Sequence, residues 1–180
     1  STNPLLAEWA GPYGGIPPFD KVKVADFEPA LEAAMAENLA EIETIANNTA
    51  APTFENTIAA MEKTGRTLDR VSAIYGIWSG SLSNPEMEAV NTRMAPKLAA
   101  FGDKISQNEA LFKRIETVYN SPEKKSLTSE QQRLVWLNYT NFVRQGAKLG
   151  AVAKKRLSEI NQSLAGLFTK FSQNLLGEEG

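Results

Sequence analysis

The chain has no histidine and no cysteine. These residues supply most zinc ligands and most activators of serine and cysteine nucleophiles, so neither an H-E-x-x-H helix nor a Ser–His or Cys–His pair can be written here. Zero cysteine also removes any disulfide framework, and it fits a reducing cytosol and a bacterial periplasm equally. Charge of one sign is missing too: 19 basic against 21 acidic residues leave a net −2. That creates no broad field to attract nucleic acid or an anionic membrane, and neither partner is expected. No apolar run is long enough to span a bilayer, and no G-x-x-x-x-G-K-[ST] phosphate loop occurs. The chain opens at Ser1 without methionine or a charged-then-apolar leader. An exported, periplasmic protein is the expectation, with a cytoplasmic one as the alternative and a designed chain also open.

What is present is helical periodicity. Apolar residues make up 42% and charged residues 22% of 180 positions, ordinary for a soluble protein, and enough for one core or for one lobe of something larger. The stretch from Gln145 to Leu176 reads as the start and body of one long helix. Leu149, Val152, Ala153, Leu157, Ile160, Leu164, Leu167, Phe168, Phe171 and Leu175 recur there every three or four positions. Such a face is expected to bury itself against other helices. Gly146 and Gly150 make a break or close crossing ahead of its main run.

Residues 1–25 hold four of the nine prolines, and Pro17-Pro18 forbids a regular helix. They are read as an extended arm, with Leu5, Leu6, Trp9, Tyr13, Ile16 and Phe19 tying it to the helices. Residues 26–180 are read as one helical domain. A first helix from Asp26, as cap, to Ala46 buries Phe27, Leu31, Met35, Leu39, Ile42 and Ile45. A long second helix from Thr53 to Trp78 runs across Gly65 and forms an antiparallel hairpin with the first. A third starts at Asn84-Pro85 and is kinked near Pro96. Asn108 caps a fourth, ended by Asn120-Ser121-Pro122, and Thr128 with Gln131 forms a capping box for a fifth. No segment alternates with the period of a half-buried strand, so the fold is all-α, an antiparallel helical bundle with long kinked helices.

Candidate sites are few. Glu32, Glu37, Glu41 and Glu43 could suggest a cation, but without loop-type spacing they read as a solvated acidic face. Lys154-Lys155-Arg156, with Glu159 four residues after Lys155, likewise reads as a wet helix face rather than a basic patch. Trp9, Trp78, Trp136 and the tyrosines could line a peptide groove, although aromatics at helical spacing are usually core. No carboxylate pair marks itself out, and no catalytic, metal or substrate-binding residue is assigned.

Four separated blocks carry a resemblance: NPLL (Asn3 to Leu6), PPFDKVKVADFEPALEAAM (Pro17 to Met35), PTFENTIAAMEKTGRTLDRV (Pro52 to Val71) and FVRQGAKLGAVAKKRLSEINQSLAGLFTKFSQNLL (Phe142 to Leu176). Together the chain resembles the N-terminal region of the thimet-oligopeptidase-like zinc metallopeptidases. It is most similar to the bacterial peptidyl-dipeptidase (dipeptidyl carboxypeptidase) branch, with oligopeptidase A next. The resemblance implies one wall of a larger, two-lobed helical channel enzyme acting on short unstructured peptides and releasing C-terminal dipeptides. It implies zinc in the parent enzyme, held by a late H-E-x-x-H helix and a further glutamate, none of which exists here. This chain alone is then expected to bind no zinc and to be inactive, with the absent catalytic part as its partner. The end at Gly180, straight after an amphipathic helix, favours that reading over a free-standing bundle serving as a binding or scaffold module.

Overall fold

The computed structural model describes residues 3–10, 15–81 and 84–178. Among them are six α-helices: α1 (Val24–Ala46), α2 (Arg66–Ser81), α3 (Pro85–Ser106), α4 (Glu109–Asn120), α5 (Ser129–Arg144) and α6 (Ala151–Glu178). Short 3-10 turns lie at Pro4–Leu6 and Pro122–Ser126, and a π-helical turn at Phe54–Ala59. The one β pairing among the described residues is an isolated antiparallel bridge between Ala10 and Ile16. The protein is all-α. Its residues form two compact units, Ser1–Asn38 with Gly65–Leu98 and Gln162–Gly180, and Leu39–Thr64 with Ala99–Asn161.

In the first unit, Phe27 near the start of α1 packs on Tyr75 and Trp78 near the end of α2, at centroid distances of 5.8 and 5.3 Å. Glu37, farther along α1, accepts from Thr67 Oγ1 at the start of α2, so the two helices run antiparallel. Glu28 meets Arg93 and Lys97, and Glu32 meets Lys97, so α1 and α3 run in the same sense. Leu31, Val71, Ile74, Met87 and Met94 are wholly buried between them, each worth about 1.5–3 kcal/mol relative to exposure. Leu5 of the arm is buried as well, in the turn that packs on α2. Asn3 anchors that turn by donating to the Asp26 carbonyl at 2.8 Å.

The second unit is built around α4. Its Leu111, Phe112, Ile115 and Val118 are buried with Ile42, Ile45, Ile58, Val135 and Phe142. The caps expected at Asn108 and Thr128 are formed: Asn108 accepts from Leu111 N, and Thr128 exchanges bonds with Gln131, each satisfying free N–H groups of the first turn. Tyr119 and Tyr139 stack at 3.9 Å, with Lys124 Nζ 4.0 Å from the Tyr119 centroid. The Lys124-Lys125 segment is a 3-10 turn with one lysine held over a ring.

The second helix expected over Thr53 to Trp78 is not continuous. Gly65 takes φ +76°, a left-handed conformation that ends one segment before α2 begins. The apolar period survives the break because both segments face the interior, which is why the pattern concealed it. Gly146 at φ +91° does the same at the other end, so Gln145 to Gly150 is a turn and α6 begins at Ala151. Helix α1 starts at Val24, two residues before the expected cap, and Asp26 instead reaches back to accept from Lys23 N at 2.8 Å. Helix α3 runs through Pro96 without ending. In the arm, Ile16 and Phe19 are exposed, so Leu5 and Val22 are the buried residues there, and Tyr13 lies outside the described residues.

The largest departure is α6. Val152, Ile160, Leu164, Leu167, Phe168, Phe171 and Leu175 are all exposed, Phe171 at 66% and Val152 at 87%. The helix packs instead through its other side, where Asn161 donates to Asp103 Oδ1 in the second unit and Gln173 donates to Glu88 O in the first.

Candidate functional site

Helical spacing brings one set of polar side chains together in the first unit. Tyr75 and Ser79 sit four residues apart on α2; Glu88, Asn91, Ala95 and Leu98 share one face of α3; Phe168, Thr169, Ser172 and Gln173 come from α6. They line a groove of about 480 Å³, within the roughly 300–1,000 Å³ of small-ligand sites.

The groove's polar wall is tightly bonded. Tyr75 Oη donates to Asn91 Oδ1 at 2.7 Å and Ser79 Oγ donates to the same oxygen at 3.0 Å. Burial pushes the Tyr75 hydroxyl above its ordinary value, partly opposed by its bond with Ser79, so it stays a neutral donor near pH 7. Its ring is fixed by Phe27. Across the groove, Gln173 Nε2 donates to Glu88 O at 2.9 Å and Thr92 Oγ1 at 3.1 Å. These bonds hold both walls before any ligand arrives, which lowers the ordering cost of binding.

Sequence reasoning did not single out Asn91, Ser79 or Gln173. The signal was a cluster of small and hydroxyl residues, Gly76, Ser79, Gly80 and Ser81, where the α2 apolar stripe would otherwise continue. Of the aromatics considered for a groove, Tyr75 lines it. Trp78 instead packs on Phe27, and Trp136 is exposed on α5. A smaller hollow of about 220 Å³ in the second unit is lined by Pro52, Phe54, Val118, Lys124 and Leu127 among others.

Glu32, Glu37 and Glu43 are exposed, as the reading of a solvated acidic face has it, and they also bond Lys97, Thr67 and Asn108, because the edge of an amphipathic face is where neighbouring helices meet. Lys155 and Arg156 are exposed, but Lys154 is 7% exposed and pairs with Glu109 at 3.2 Å. Arg156, not Lys155, pairs with Glu159. Arg114, unremarked in the sequence, is buried. It donates to Asn48 O, Ala50 O and Asn56 Oδ1, tying the turn after α1 to the π-helical turn. Among the described residues no three of Asp, Glu, His or Cys converge. With no histidine or cysteine available, these residues do not fit a catalytic zinc.

Comparison with known proteins adds the family. The model for "Neurolysin/Thimet oligopeptidase, N-terminal domain" matches residues 30–154. This chain belongs to that family. A dipeptidyl carboxypeptidase of Salmonella typhimurium is 36% identical over 98% of the chain and 26% of its own length. The dipeptidyl carboxypeptidase of Escherichia coli K12 is 34% identical over 97% of the chain and 25% of its own length. An oligopeptidase A from Salmonella typhimurium is 23% identical over 97% of the chain and 25% of its own length. The identities follow the order of the resemblance, and the chain spans about a quarter of the length of these relatives. For a thimet oligopeptidase N-terminal domain the end of the match is informative: residue 154 lies in the first turn of α6. Nearly all of the uncovered stripe thus lies beyond the matched region.

Proposed function

We propose that this chain is a non-catalytic helical part of a metallopeptidase resembling peptidyl-dipeptidase, an enzyme that releases C-terminal dipeptides from short, unstructured peptides. The groove side of the first unit contributes to the wall of its substrate channel. Zinc and the residues that activate water belong to sequence outside these 180 residues, since nothing here fits that metal. The α6 stripe carries this reading. A family relationship spanning a quarter of each relative, together with an uncovered apolar helix face just past the matched domain, is what a lobe built to pack on further chain would have.

The test is reconstitution. The purified chain is assayed on a short blocked peptide with zinc, then again after addition of a separately made segment corresponding to the remaining length of the relatives. No cleavage by the chain alone and chelator-sensitive cleavage by the mixture are expected. Chelator-sensitive cleavage by the chain alone, free of contaminating protease, overturns the non-catalytic role. An inactive mixture in which the two parts do bind counts against the peptidase assignment.

A further inference from the structure

The hollow in the second unit, between the π-helical turn and the Pro122–Ser126 turn, joins apolar walls to a charged rim. Pro52, Phe54, Val118 and Leu127 give it apolar surface around a space of about 220 Å³. That exceeds the roughly 150 Å³ that takes one benzene ring and falls short of the roughly 300 Å³ at which drug-sized sites begin. It is room for one ring and a short chain. The hydroxyls around it are bonded within their own turns: Thr53 Oγ1 accepts from Asn56 N, Ser121 Oγ accepts from Glu123 N, and Ser126 Oγ donates to Glu123 O. What remains to orient a ligand is charge. Glu55, Glu123 and Lys124 line the hollow. The Lys124 ammonium stands 4.0 Å from the centroid of Tyr119, a ring that is not part of the lining, so the one cation already has a partner elsewhere. Glu55 and Glu123 are exposed, and their carboxylates have no partner among the described residues. Two unpaired negative charges against one engaged positive charge leave the rim net negative.

We propose that this hollow binds a small ammonium compound carrying one aromatic ring. The ring packs on Pro52, Phe54, Val118 and Leu127, and the ammonium group faces Glu55 and Glu123 at the rim. A carboxylate on the same ligand would meet those two charges, so amino acids and free dipeptides are disfavoured. The ligand thus differs in chemistry from the peptides of the proposed function, and the inference does not rest on that reading.

The experiment uses the 180-residue chain labelled with nitrogen-15 and titrated with phenethylamine, neutral phenethyl alcohol, phenylalanine and ethylamine. Phenethylamine is expected to shift the backbone amide signals of Phe54, Val118 and Leu127 saturably, and to bind about fivefold tighter than the alcohol. Phenylalanine should bind more weakly than the amine, and ethylamine, which lacks the ring, should give no saturable shift. The double variant Glu55→Gln with Glu123→Gln changes two exposed side chains and should keep the rest of the spectrum. In it the amine should fall to the affinity of the alcohol, and the alcohol should bind as before. No saturable shift with the amine, equal affinity for amine and alcohol in the parent chain, or amine binding indifferent to the double substitution would overturn the proposal. Binding is read without zinc or further segments, so failure of the reconstitution assay leaves this result untouched, and failure here leaves the peptidase reading intact.

Discussion

Arg114 of α4 donates from Nη2 to Asn56 Oδ1 in the π-helical turn, at 2.8 Å. Asn56 is already committed on every side: Oδ1 also accepts from Thr53 N and Thr57 Oγ1, and Nδ2 donates to Ala51 O. The other guanidinium nitrogen bonds Asn48 O and Ala50 O. A cation with no paired carboxylate among the described residues thus organises two turns through carbonyl oxygens, and burial pushes its proton affinity down without making it neutral. Arg114→Met is expected to cost about 1.5–3 kcal/mol, since it removes one charged donor that serves three oxygens at once. Urea denaturation with an unchanged m-value reads it. Arg114→Lys, a point charge in place of a planar fork, should recover less than half. Full recovery by lysine would mean that charge rather than geometry matters.

That residue also shows where sequence reading stops. The caps at Asn108 and Thr128 were legible because their chemistry is local: a side-chain oxygen and an N–H three residues on. The helix faces were legible for the same reason, through spacing. Arg114 was not, because one charged residue on an amphipathic helix looks wet until the loop that covers it is known. The groove was equally hidden, since Tyr75 and Asn91 meet only across two helices. Spacing also says that the α6 residues share a face, but not whether anything covers it.

Gly65 illustrates the limit at the backbone. Gly76, Gly80, Gly102 and Gly166 sit inside helices with open space around them, whereas at Gly65 an added Cβ would run into the Asn38 side-chain amide. Gly65→Ala is expected to destabilise by about 1–3 kcal/mol through the left-handed φ and this contact together. Asn38→Ala in the same chain should relieve only the contact, so thermal melts of the single and double variants should show partial rescue. Complete rescue would remove the backbone from the explanation.

Glu28 bridges Lys97 and Arg93, and the bonds from Lys97 first and Arg93 second hold its carboxyl below the ordinary 4.5. A carboxyl lowered in the folded state adds stability that is complete above its unfolded value. That stability is lost as pH falls through the folded one. Glu28→Gln should therefore cost about 0.5 kcal/mol near neutrality, the size of a surface pair. The difference from the parent chain should shrink below pH 4.5 and vanish in stronger acid. A difference that stays constant or grows on acidification would exclude the ion pairs as its source.

The stripe on α6 gives the last expectation, which separates solubility from stability. Leu167 and Phe171 are 64% and 66% exposed, so replacing both with glutamate removes few native contacts and should change stability by no more than about 0.5 kcal/mol. Ile115, wholly buried at the centre of the second unit, provides the contrast: Ile115→Ala should cost about 2–5 kcal/mol. An uncovered apolar face also drives association in water. The parent chain is therefore expected to sediment with a concentration-dependent mass and to bind a hydrophobic dye, and the double variant to lose both while keeping its melting temperature. If the double variant melts much lower, α6 uses this face to hold the fold, and the stripe is not a surface waiting for a partner.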